Sequence, residues 1–192
     1  MRKLLSILST MFVYSAVSYS SLAQVAVPTL PPPSTKLESF NTNTSIVILK
    51  GNADIGSVSI GSIVVSVRCR EITDIASGHK EQGIVVTFAE RNAGKDTLLI
   101  DYDEIASLLS AMEYLGNLQF SVTPLDTYDA EYSTKGGFRV AALGNRLSGR
   151  TQYSVRDARA NATSISLSSQ DMIRLKGLIG QAKAKLDSLG SE

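Results

Sequence analysis

The chain has 192 residues, with 19 basic and 18 acidic side chains, one histidine and one cysteine. The near-neutral balance excludes a general electrostatic pull toward nucleic acid or an anionic membrane. A single cysteine, Cys69, excludes any intrachain disulfide, so an apolar core must hold the fold.

Met1-Arg2-Lys3 is followed by an apolar run through Leu4, Leu5, Ile7, Leu8, Met11, Phe12 and Val13, and then by Ser21-Leu22-Ala23. A positive start, a short apolar stretch and a small-x-small site predict a cleavable signal peptide over 1–23 and an exported, periplasmic or secreted protein. No later stretch is long and apolar enough to span a membrane, so none is expected after cleavage. Removing 1–23 takes Arg2 and Lys3 with it and leaves 169 residues carrying 17 basic and 18 acidic groups, enough for one domain. Pro28, Pro31, Pro32 and Pro33 predict an extended spacer over 24–36.

From there the pattern has period two. Val65, Val67 and Cys69 oppose Arg68 and Arg70; Ile84, Val86 and Phe88 share a face. Tyr128, Ala130 and Tyr132 alternate with Asp129, Glu131 and Ser133, and Thr151, Tyr153 and Val155 with Gln152, Ser154 and Arg156. Thr163, Ile165 and Leu167 form the last such run. Alternation of this kind predicts antiparallel sheet with one face on a core and one toward water. Gly51-Asn52, Asn92-Ala93-Gly94, Lys135-Gly136-Gly137, Asn145 with Gly149, and Arg159-Ala160-Asn161 are the expected turns.

Two segments have helical period. Ile105, Leu108, Leu109, Met112 and Leu115 form one stripe; Met172, Leu175, Leu178, Ile179, Ala182 and Leu186 form the other. Asp101 with Glu104, and Ser168 with Asp171, have the spacing of capping boxes. The two helix starts align at an offset of 67 residues, and about four strand-like runs precede each. The expectation is an α+β domain over 37–189, with about eight antiparallel strands and two amphipathic helices packed on one face. It includes a duplicated ββββα unit over 37–116 and 117–189.

The chemistry-bearing groups are sparse. His79 is the sole histidine, in the polar connection Ser77-Gly78-His79-Lys80, so any histidine-based nucleophile device must use it. Ser77 and Lys80 match S-x-x-K without its companion motifs. Asp101, Asp103 and Glu104 lack the spacing of a Ca²⁺ loop and suit a first helical turn. No cofactor, metal site or catalytic set is expected. The expected role is a non-catalytic binding or interaction domain, with a small hydrolase using His79 or those acids as an alternative. Arg146, Arg150, Arg156 and Arg159, with Tyr153 among them, form the candidate binding patch. Guanidinium forks suit an anionic polymer or an acidic protein.

The exported start, the proline spacer and Ile100-Asp101-Tyr102-Asp103-Glu104-Ile105 ahead of a leucine-rich helix resemble small exported bacterial proteins of unknown function, which implies no activity. The duplicated ββββα layout is similar to that of Whirly and PUR-type proteins. That resemblance implies a sheet that binds single-stranded nucleic acid, the second alternative. The short basic motif typical of Whirly proteins is absent, base-stacking aromatics are not evident, and export separates the protein from most nucleic acid. Nucleic acid is therefore not the expected partner.

Overall fold

The computed structural model describes residues 34–43, 46–90, 94–159 and 164–189. The predicted signal peptide, the spacer up to Pro33, and parts of the turns at 92–94 and 159–161 lie outside the described residues. The order is α1 (Lys36–Thr42), β1 (Ile48–Ile60), β2 (Ile63–Asp74), β3 (Lys80–Glu90), β4 (Lys95–Asp101) and α2 (Tyr102–Gly116). A 3₁₀ turn at Phe120–Val122 leads into β5 (Thr127–Ser133), β6 (Phe138–Asn145), β7 (Arg150–Asp157), β8 (Ile165–Leu167) and α3 (Ser169–Leu189).

The strands form two antiparallel four-stranded meanders, β1-β2-β3-β4 and β5-β6-β7-β8, each followed by a helix. The α+β expectation and its eight strands hold, and after α1, a third helix beyond the two expected, the element order is ββββα twice. One core joins both halves: Val65, Val67, Ile84 and Val86 from the first sheet, Phe138, Val140 and Val155 from the second, and the predicted stripes of α2 and α3. The rings of Phe88 and Phe138 stack across the sheets at 6.3 Å. The helix of the second half packs on α2 and on β1 and β2 of the first. Leu178 of α3 comes so close to Gly56 that a Cβ there would lie 2.8 Å from Leu178 Cδ2. Among the described residues no helix is long and apolar enough to cross a membrane.

Three local expectations are corrected. Gly51-Asn52 is no turn but mid-strand, paired with Glu71 and Arg70; the chain reverses at Gly61, where φ is +59°. The spacer was expected to run to residue 36, but Thr35 opens α1 through a capping box with Glu38. Seven residues cannot sustain a helix alone. Leu37 and Phe40 are instead buried against Ile72, Val85 and Leu99 on the outer side of the first sheet.

The third concerns Asp101 and Glu104. Asp101 stands at the N-cap of α2, but its side chain makes no cap bond there. Its buried carboxylate accepts from Lys36 N at 2.8 Å and Leu37 N at 3.2 Å, so it caps α1, more than sixty residues away. Glu104 is turned into the core, where it accepts from Lys135 N at 2.8 Å and its Oε2 has no partner among the described residues. The matching pair before α3 does form its box: Asp171 N donates to Ser168 Oγ at 3.1 Å and Ser168 N to Asp171 Oδ2 at 3.2 Å.

Candidate functional site

The predicted patch is split by its own backbone. On β7, Arg150 and Arg156 point to the water side of the second sheet, as their alternation predicts. They stand six residues apart, about 20 Å along an extended strand. Tyr153, of opposite parity, is buried on the core side and donates to Gly116 O at 3.3 Å; burial pushes its phenol up. Arg146 donates to Pro124 O at 3.1 Å and Phe120 O at 3.2 Å, tying down the segment ahead of β5. Arg159 pairs with Glu38 and, at 3.6 Å, with Asp157. Burial pushes Glu38 up, but the Arg159 guanidinium and the Ser34 donors outweigh it and hold the carboxyl below its usual range. Three of the five residues are therefore structural.

A residue outside the predicted set stands beside Arg156. Arg139 on β6 lies directly across from Arg156 in the register. It reaches Ser133 Oγ at 2.8 Å and Glu131 Oε2 at 3.1 Å. The Arg156 side chain has no hydrogen bond or ion pair among the described residues. Beside this arginine pair a groove of about 220 Å³ runs over Ala141 and Ser154, with Asp129 and Glu131 on its rim. Like charges directly opposite on a sheet are mutually destabilising; here Arg139 turns toward β5, where the Glu131 carboxylate offsets its charge, and Arg156 is left as the guanidinium open to an outside anion. The signal for Arg139 was its place in the alternation Phe138-Arg139-Val140; its neighbour could not be read without the register.

The first sheet offers less. Arg68 is paired with Asp54 at 2.6 Å and Arg70 with Asn52 at 2.9 Å, while α1 covers one end of the face. The residues considered for hydrolysis do not converge. Ser77 Oγ donates to Asp74 at 2.6 Å, and Lys80 pairs with Glu71 at 3.5 Å. His79 stacks on Phe40 and meets Glu81 at 3.4 Å. Cys69 is buried, its Sγ donates to Ala182 O at 3.4 Å, and burial pushes its thiol up. Among the described residues no three His, Cys, Asp or Glu side chains are placed to hold a metal.

Fold and site together define an α+β domain whose second sheet has a water-facing side carrying both arginines and carboxylates. No protein-family model and no curated protein matches the chain. Three solved structures are similar. WHY1 from Arabidopsis thaliana is 14% identical, covers 73% of this chain and 92% of its own, and has a TM-score of 0.31. The plant transcriptional regulator PBF-2 is 15% identical, with coverage of 73% and 85% and a TM-score of 0.34. WHY3 from Arabidopsis thaliana is 16% identical, with coverage of 68% and 86% and a TM-score of 0.30. These matches correct the expectation that nucleic acid is not a partner, since a transcriptional regulator stands among them, and that exclusion is withdrawn. Values this low transfer no residue roles to this chain.

Proposed function

We propose that this chain is a non-catalytic domain that binds single-stranded nucleic acid along the water side of the β5–β8 sheet. The observation that carries the reading is that Arg139 and Arg156 stand opposite each other in the register, beside a shallow groove lined by Ala141, Leu143 and Ser154 with Asp129 and Glu131 on its rim. Each guanidinium can take a phosphate bidentately, and its planar face can stack on a base in place of an aromatic ring. That substitution matters because Tyr128, Tyr132 and Tyr153 all point to the core side of this sheet. Arg150, at the far end of β7, supplies a further phosphate contact on the same face.

Fluorescence anisotropy with a labelled single-stranded oligonucleotide tests this. Binding should weaken with salt, the slope of log K against log salt being about −0.7 per phosphate neutralised. Changing Arg139 and Arg156 together to Ser should make the slope shallower by about 1.4. An unchanged slope in the double variant would sink the assignment.

Export is a second proposal, supported by the Arg2-Lys3 start, the apolar run and the Ser21-Leu22-Ala23 site. N-terminal sequencing of protein recovered outside a bacterial cytoplasm should begin at Gln24. Recovery of the chain only inside the cell, with Met1 or Arg2 at its start, would refute it.

A further inference from the structure

A second hollow, away from the arginine face, opens between the end of α2 and the start of α3. Its volume is about 280 Å³, just below the usual range for ligand sites and enough for a small molecule only. The floor is apolar: Met112, Met172 and the ring of Tyr153, with Ile173 at the mouth. Ile173 is 60% exposed, an apolar side chain that the fold itself leaves uncovered. Paired methionines give such a floor adaptability in shape.

The rim carries one charge of each sign. Glu113 of α2 pairs with Lys176 of α3 across the opening. Asn117 Nδ2 donates to Glu113 Oε1 at 2.8 Å and fixes the carboxylate there. The paired side chains are 58% and 34% exposed, and a pair so open to water contributes little and is easily exchanged. The Tyr153 hydroxyl donates to Gly116 O and keeps its lone pairs for a further donor. Gly116 keeps the wall low: a Cβ there would meet nothing within 4 Å.

We infer that this hollow is a binding site for a small zwitterion with an apolar body, the chemistry of a free apolar amino acid. The ligand's ammonium replaces Lys176 at Glu113, with the Tyr153 oxygen as second acceptor. Its carboxylate takes Lys176, and its side chain covers Met112, Met172 and Ile173. Two opposite charges on one small molecule match the rim in a way that a purely apolar, cationic or anionic compound does not.

Calorimetric titration of the full chain with L-leucine and L-phenylalanine tests this, with N-acetyl-leucine and leucine amide as blocked forms. The free amino acids should bind, and each blocked form should bind at least about tenfold more weakly, the effect of one lost charge-assisted hydrogen bond. Gly116→Leu should fill the hollow and abolish binding while leaving thermal stability unchanged or higher. Glu113→Gln and Lys176→Met should each weaken binding by about tenfold. No heat from either free amino acid at 10-millimolar order, equal binding of the blocked forms, or undiminished binding by a folded Gly116→Leu variant would each overturn the assignment.

Discussion

Replacing Phe138 by Ala should cost about 4 kcal/mol of folding stability, the usual range for emptying a buried aromatic site. The side chain is fully buried at the start of β6, and its ring stacks on Phe88 of the other sheet at 6.3 Å with 5° between planes. Its removal therefore withdraws the ring that spans the two meanders and leaves a cavity that neither rigid sheet can close. The stacking adds about 1 kcal/mol beyond area burial. In a domain of this size the loss should lower the midpoint of thermal unfolding by about 10 °C. Denaturant titration should show a lower midpoint at unchanged slope. Phe138→Leu, which keeps most of the volume, should cost no more than about 1.5 kcal/mol. A loss below about 1 kcal/mol for the alanine variant would mean that the sheets do not share one core.

Gly136→Ala should be the most damaging single-methyl change. Gly136 sits in the β5–β6 turn, pressed against the backbone of β4. A Cβ there would lie 1.8 Å from Leu99 O, 3.0 Å from Leu99 C and 3.1 Å from Thr35 Cγ2. The obstacle is main chain in a paired strand, so no side-chain rotation relieves it. Either the turn or β4 must move, and the same turn provides the Lys135 N–H that satisfies buried Glu104. The expected loss is about 3 kcal/mol or more, read by denaturant titration. Gly177→Ala is the control. A Cβ there meets nothing within 4 Å, so that variant should be no less stable than the parent. Equal stabilities for the two variants would show that the turn does not bear on β4.

The contrast between the two capping boxes explains how far the sequence reads. Ser168 and Asp171 form the local box that their spacing predicts, because nothing else competes for either side chain. Asp101 and Glu104 have the same spacing and do something else. The unsatisfied N–H groups of α1 reach Asp101, and the turn amide of Lys135 reaches Glu104. A distant donor outbids a local one only when the fold brings it within 3 Å, and spacing carries no record of that. Helix α1 was legible in Thr35-x-x-Glu38, but the prolines just before it mask the motif.

The candidate site divides in the same way. Period-two alternation sufficed to place Arg150 and Arg156 on the water side of β7 and Tyr153 on the other, since side-chain parity is a property of any extended strand. The α+β class, the strand number and the stripes of α2 and α3 were determined in the same manner, by local periodicity alone. Only the tertiary structure decided which arginines stand near one another. Arg146 and Arg159 were spent on backbone carbonyls and carboxylates brought in from other segments. Arg139 joined Arg156 because the β6–β7 register sets them opposite each other. The hollow between α2 and α3 likewise exists only because the second half's helix crosses onto the first half's sheet, which brings Lys176 to Glu113. Periodicity follows from each segment's own geometry, whereas partnership follows from contacts between segments far apart in the chain.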